Sequence, residues 1–181
     1  RYQYTYGDIM QMLEDNIKIT NVEEMIHHFW DMYLMDAWIG NFDRHGSNWG
    51  FLKKNNQYRM APVYDNGSSL FPRLNTEEKL QKVLDSEEEM LKRVYTFPTS
   101  QILLCGKKSS YYELINSLQY KECNEALIRI TPKIDLEKME KLIDEIEEIS
   151  TIRKIFYKRM LHLRYDIMIK EPYQKLTGRS M

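Results

Sequence analysis

The stretches GNFDRHGSNWG, residues 40 to 50, and APVYDNGSSL, residues 61 to 70, gather the ionisable and amide side chains of the first third of the chain. Between them, WGFLK at 49 to 53 and YRMAPV at 58 to 63 are short apolar-aromatic runs around the polar KNNQ. That pattern predicts a β-hairpin turning at Asn55 and Asn56. Pro62 has no N–H to give to a ladder, so its strand ends there or lies at an edge. With the turn centred between the two asparagines, Asn48 faces Val63, and Asp65 is two residues further on. At ~3.4 Å per residue and ~5 Å between strands, the side chains of Asn48 and Asp65 come within reach of one ion. The hairpin thus converts a separation of 17 residues into one site, and it is the only connection expected between the two loops.

An amide and a carboxylate so placed form a hard-oxygen pair suited to Mg²⁺, which keeps several waters and takes one or two protein ligands beside substrate phosphates. A nucleotide is the natural companion. Asp43 lies five residues before Asn48, the Asp-to-Asn separation of the kinase catalytic loop HRDxxxxN, whose Asp orients the attacking hydroxyl and accepts its proton. Asp65-Asn66-Gly67 then corresponds to the DFG segment, following two short strands.

Upstream, residues 22 to 39 are the clearest predicted helix. Val22, Met25, Ile26, Phe29, Trp30, Tyr33, Leu34, Ala37 and Trp38 recur at steps of three and four and share a buried face. Asn21 is set to cap this helix with Glu24 at the capping-box position, and Gly40 supplies a left-handed stop. A shorter helix is expected from about Asp8 to Asn16. Downstream, Thr76 opens a charged helix, TEEKLQKVLDSEEEMLKRV, with Leu80, Val83, Leu84, Met90, Leu91 and Val94 inward. Further helices are expected near 110 to 120, 123 to 130, 135 to 149 and 151 to 170. The third of these puts Leu136, Met139, Leu142, Ile143 and Ile146 on one stripe. The last does so with Ile152, Ile155, Phe156, Met160, Leu163 and Ile167. The expected fold class is mainly α, a helical bundle with one inserted β-hairpin that carries the metal site.

The 181 residues suffice for one domain with a real core. Lys plus Arg number 26 against 27 Asp plus Glu, a net charge of −1, so direct nucleic-acid binding is not expected. Cys105 and Cys123 are too few for a disulfide framework or a zinc site, and read as reduced thiols of a cytoplasmic protein. The most apolar run, FWDMYLMDAWIG, is interrupted by Asp31 and Asp36, so no membrane span is expected. The chain opens on Arg1 with no initiator Met and no signal region, and is expected to begin inside something longer.

Singly, an Asp and an Asn five apart more often close Asx-turns or cap helices than hold a metal. It is their combination with a core helix before, a hairpin between and Asp-Asn-Gly after that points to phosphoryl transfer. Arg44 reads as a tie from the loop to a carboxylate. His27 and His28 read as structural, since nothing at ligand spacing accompanies them. The 13 tyrosines read as packing and the glutamates at 87 to 89 as a solvated helix face. Ser68 and Ser69 read as ordinary loop serines.

Together, GNFDRHGSNWG and APVYDNGSSL resemble the C-terminal catalytic lobe of HipA-type serine/threonine kinases, the bacterial persistence-toxin fold. The DRHxxN core is also shared with phosphoinositide kinases. The resemblance implies a protein-kinase-like C-terminal lobe over residues 1 to 181, with the N-terminal β-lobe missing from this chain. It implies Asp43 as catalytic aspartate, Asn48 and Asp65 as magnesium ligands, His45 in the nucleotide pocket, and ATP and Mg²⁺ as cofactors. The implied partners are a protein substrate, such as a translation component, and a small DNA-binding antitoxin. Ser47 stands where nearer relatives often carry lysine. Lys18 is the one lysine before Asp43, and no GxGxxG or GxxxxGK string occurs. The isolated chain is therefore expected to be a weak or inactive kinase that still folds. Two other functions compete: a phosphoinositide-type lipid kinase, and a pseudokinase or helical binding module. Residues 66 to 80 carry only Arg73 and Lys79 against Glu77 and Glu78, which favours a protein over an anionic lipid substrate.

Overall fold

Trp30, Leu34 and Ala37 line one face of a helix running Val22–Ile39 and are shut off from solvent, so this helix is the axis on which the rest packs. The computed structural model describes residues 4–15 and 21–178. Along the chain these form β1 (Tyr4–Thr5), α1 (Tyr6–Glu14), α2 (Val22–Ile39), β2 (Phe51–Lys54), β3 (Gln57–Met60), α3 (Glu77–Leu84) and α4 (Glu87–Tyr95). There follow β4 (Thr99–Leu104), β5 (Lys107–Ser110), α5 (Tyr111–Ser117), α6 (Lys121–Ile130), a 3-10 turn (Thr131–Lys133) and α7 (Leu136–Asp144). The chain closes with α8 (Thr151–Arg164), a π-helical turn (Tyr165–Lys170) and α9 (Glu171–Thr177). The class is mainly α, as expected, and α2 packs against α1, α6, α8 and the π-turn.

The bounds of α2 match the expected helix. Asn21 Oδ1 accepts from the Glu24 N–H (3.1 Å), and Gly40 ends it at φ +70°. A Cβ at Gly40 would also stand 3.4 Å from the Phe71 ring, so both backbone conformation and space favour glycine there. The expected first helix starts two residues earlier than Asp8, capped by Thr5 in a reciprocal box with Asp8. Asn16, its expected last residue, lies outside the described residues, as does Lys18. Core aromatic residues pack on one another: Trp30 meets Tyr33 at 5.2 Å, and Tyr33 meets Tyr111 at 5.0 Å between ring centroids.

The hairpin follows the expected register, with Phe51 opposite Met60 and Lys54 opposite Gln57. Asn55 and Asn56 have φ of 51° and 60°, the two left-handed residues that a tight two-residue turn requires. Ala61 N–H donates to Gly50 O at 2.8 Å, one step beyond the strands.

Several expected elements differ. A second hairpin, β4–β5, turns at Cys105 and Gly106 and pairs in parallel with β1 through Tyr4–Ile102 and Thr5–Leu103. Cysteine is an uncommon left-handed turn residue, and the apolar run ILL is too short to separate strand from helix by periodicity. The charged helix from Thr76 is two helices. Asp85 ends α3, and the Ser86 hydroxyl accepts from the Glu89 N–H (3.2 Å) to start α4, a capping signal inside what reads as one amphipathic stripe. The helix from 135 stops at Asp144, leaving Leu142 and Ile146 exposed, and only Ile143 of its stripe is fully buried. This helix lies on the surface, so its core-facing stripe is narrower than an apolar count suggests. Ile155 on α8 also faces solvent, and the last helix passes through the π-turn to Thr177. No described helix is long and apolar enough to cross a membrane.

Candidate active site

The last three carbonyls of α2, those of Ala37, Trp38 and Ile39, need partners outside the helix and each finds one, while Asp36 O accepts from the N–H of the cap residue Gly40. Asp36 O also accepts from the Asn41 N–H (2.9 Å). Ala37 O and Trp38 O accept from Arg164 Nε at 2.9 and 3.1 Å. Ile39 O accepts from the Leu70 N–H at 2.9 Å. Arg164 has almost no exposure, and burial pushes its guanidinium down to about 9. Its charge sits at the negative end of the α2 dipole. The loop that follows therefore leaves a fixed point.

Within the loop, Asp36 and Arg44 are buried and paired at two points, Nε to Oδ2 at 2.7 Å and Nη2 to Oδ1 at 2.9 Å. Burial alone would lower Arg44, but the Asp36 carboxylate overrides it and the guanidinium is held above its ordinary value. The same guanidinium reaches three further acceptors: Asn48 O at 2.7 Å, Tyr64 O, and Asn66 Oδ1 at 2.6 Å. Arg44 is thus tied to a carboxylate, as expected. It also overturns the expectation that the hairpin alone joins the two loops, and Tyr64 Oη donating to Ser47 O (3.1 Å) adds a further link. Buried Asn41 completes the frame. It donates to Asp36 Oδ1 (2.9 Å), accepts from the Asp43 N–H (3.1 Å), and receives the Tyr111 hydroxyl at its carbonyl (2.8 Å).

On this frame Asp43 and Asn48 are brought together. Asn48 Nδ2 donates to Asp43 O at 2.8 Å. A carbonyl can only accept, so the amide nitrogen faces it and the amide oxygen points the other way. The Asp43 carboxylate keeps about a fifth of its surface accessible, with His45 Nε2 at 3.9 Å from its Oδ2. His45 Nδ1 accepts from the Ser47 N–H (3.2 Å), so the proton of the neutral ring is on Nε2, facing Asp43. Asp65 is exposed, in the left-handed region at φ 55°, directly after Tyr64 and close enough to add its charge to the field at Arg44. Gly46 allows a close approach, because a Cβ there would lie 2.7 Å from Tyr4 Oη.

Sequence reasoning missed Asp36, Asn41, Tyr111 and Arg164. A signal existed for Asp36: a carboxylate on the apolar face of a core helix must have a cationic partner. Arg164 had none, since an arginine on a helix face ordinarily reads as solvated. Among the described residues no three His, Cys, Asp or Glu side chains cluster as a metal centre. Asn48 and Asp65 would be a smaller, all-oxygen pair of the kind magnesium accepts.

Residues 1–151 match the family model of the HipA-like C-terminal domain. The chain is 35% identical to the serine/threonine-protein kinase CtkA of Helicobacter pylori over 204 aligned residues, covering 99% of this chain and 62% of that protein. The crystal structure of a Helicobacter pylori proinflammatory kinase CtkA superposes with a TM-score of 0.91 at 34% identity, covering 97% of this chain and 64% of that one. The chain thus spans about three fifths of the length of the relative it matches. On motif, fold and sequence together, it belongs to the HipA-like C-terminal domain family.

Proposed function

We propose that this chain is the C-terminal catalytic lobe of a Mg²⁺- and ATP-dependent serine/threonine protein kinase. The observation that carries the reading is the bond from Asn48 Nδ2 to Asp43 O, on a loop that Arg44 ties to the segment entering Asp65. On this reading the Asp43 and Asp65 carboxylates and the Asn48 amide oxygen act together. Asp43 orients the acceptor hydroxyl and takes its proton as the acceptor oxygen bonds to the γ-phosphorus and the bond to the β-phosphate oxygen breaks. Asn48 Oδ1 and the Asp65 carboxylate would hold magnesium, a donor set of hard oxygens that fits this ion. When bound, ATP would supply the phosphoryl group and Mg²⁺ would neutralise the charge that develops on it. His45, with Nε2 turned toward Asp43, lies in the nucleotide pocket and keeps the loop in shape. The rest of the nucleotide's phosphate contacts come from an N-terminal lobe outside this chain, so the isolated chain transfers phosphoryl groups poorly while still folding.

A protein acceptor is favoured over a phosphoinositide head group, because residues 66 to 80 carry only Arg73 and Lys79 against Glu77 and Glu78. By the family resemblance, a DNA-binding antitoxin is the partner to look for, in a bacterial cytoplasm. The test is incubation of the full-length protein with γ-radiolabelled ATP, magnesium, and either a serine- and threonine-rich protein or phosphatidylinositol vesicles. Label recovered as phosphoserine or phosphothreonine supports the reading. Label in lipid, or magnesium-dependent ATP binding with no transfer to either, overturns it in favour of a lipid kinase or a pseudokinase.

A further inference from the structure

The segment from Asn66 to Leu74 is pinned along its length. Leu70 N–H donates to Ile39 O, Leu74 N–H to Phe71 O, and Arg153 Nη2 to Leu74 O, each at 2.9 Å. Phe71 is buried between Phe97 and Phe156, and the ring of Pro72 fixes its own φ next to it. Arg73 projects from this fixed stretch into solvent, with its Cζ 5.6 Å from the centre of the Phe42 ring. Phe42 is the covalent neighbour of Asp43, and its carbonyl is held by Gln101 Nε2 at 3.2 Å. Arg73 makes no ion pair among the described residues, although Glu77 and Glu78 follow closely in sequence. The cation inside the loop, Arg44, is fully engaged with Asp36 and the loop carbonyls.

A guanidinium held over an aromatic ring by a cation–π contact is oriented in advance and keeps N–H groups for two-point pairing with a carboxylate. From Arg73 Cζ through the Phe42 ring to the Asp43 carboxylate is at most about 17 Å, the span of roughly five extended residues. We infer that Arg73 is a specificity-determining residue, one that recognises an acidic side chain within a few residues of the acceptor hydroxyl of a protein substrate. This rests on the kinase reading above. The surroundings, with Asp43, Asp65, Glu77 and Glu78, repel acidic chains in general. The preference is therefore confined to the one flanking position that meets Arg73, and is not a general attraction to negative charge.

The test uses the full-length protein, γ-radiolabelled ATP, and serine peptides on an inert carrier that differ only by Glu, Gln or Lys at one flanking position at a time. The wild-type protein is expected to show a kcat/KM roughly three- to tenfold higher for Glu than for Gln at a single position. Arg73→Gln brings that ratio close to one, Arg73→Lys retains part of it, and Arg73→Glu inverts it in favour of Lys. The KM for ATP stays the same in all three, and so does the thermal midpoint, because Arg73 is exposed. A ratio near one at every position, or a preference that survives Arg73→Gln and Arg73→Glu, overturns the inference while leaving the kinase reading standing. A rise in KM for ATP with the peptide ratio intact overturns it by assigning Arg73 to the nucleotide. Transfer to none of the peptides by the wild-type protein removes the kinase reading, and the inference with it.

Discussion

Asp36 and Arg44 stand eight residues apart, and their two-point ion pair is the joint between the core helix and the loop that carries Asp43. Both side chains are nearly inaccessible, at 2% and 6%. The pair therefore acts at low dielectric, where an unpaired member would be far costlier than at the surface. Arg44 alone also donates to the backbone on both sides of the hairpin, at Asn48 O and Tyr64 O. Fold stability and site geometry are thus linked through one side chain.

Arg44→Met is expected to destabilise the protein by about 3–5 kcal/mol, since it strands the Asp36 carboxylate in the core. The double variant Asp36→Leu with Arg44→Met should recover much of that loss, because no charge is left buried. It should not recover activity, because the loop and the Asp65 segment no longer share a donor. Denaturant unfolding checks the first two statements. A single variant within about 1 kcal/mol of wild type would contradict the buried-pair account.

Much of this frame was legible before any coordinates. The α2 boundaries follow from Asn21, Gly40 and the spacing of nine apolar residues, and the β2–β3 register from the pair Asn55-Asn56. Each signal is local and has one reading. What stayed hidden depends on long-range contact. Arg164 is 127 residues from the Ala37 carbonyl it satisfies, and nothing around it marks it as a buried cap. The β1–β4 pairing joins Tyr4 to Ile102 through a strand of two residues, too short for any alternation to register. Motif spacing and hairpin register single out Asp43, Asn48 and Asp65 as candidates, whereas the residue that couples their two loops reads in the sequence only as a tie to a carboxylate. Nothing in spacing alone says that one guanidinium can serve four partners.

Asn48→Ala and Asp65→Ala should each raise the magnesium concentration needed for half-maximal transfer. The larger shift is expected for Asp65, which contributes the charge as well as an oxygen. A magnesium titration of the full-length protein checks this. An unchanged titration in the Asp65 variant would mean that the metal is held elsewhere.

The two cysteines should differ sharply in reactivity. Cys123 is buried on α6, and burial pushes its thiol well above the ordinary range, so it carries almost no thiolate at neutral pH. Cys105 is exposed at the β4–β5 turn. Iodoacetamide followed by peptide mass spectrometry should find Cys105 modified in the native protein and Cys123 only after unfolding in guanidinium. Equal labelling of both in the native state would contradict the packing of α6.

The central claim is that Asp43 acts on the acceptor hydroxyl. The direct measurement is radiolabelled phosphoryl transfer by full-length Asp43→Asn, paired with ATP-binding calorimetry on the same protein. The amide keeps the loop's shape and its backbone bonds to Asn41 and Asn48, but it cannot take the hydroxyl proton. Transfer is therefore expected to fall by at least about a hundredfold, with ATP affinity within a few-fold of wild type. Transfer within a few-fold of wild type would contradict the account and move the catalytic base to another residue.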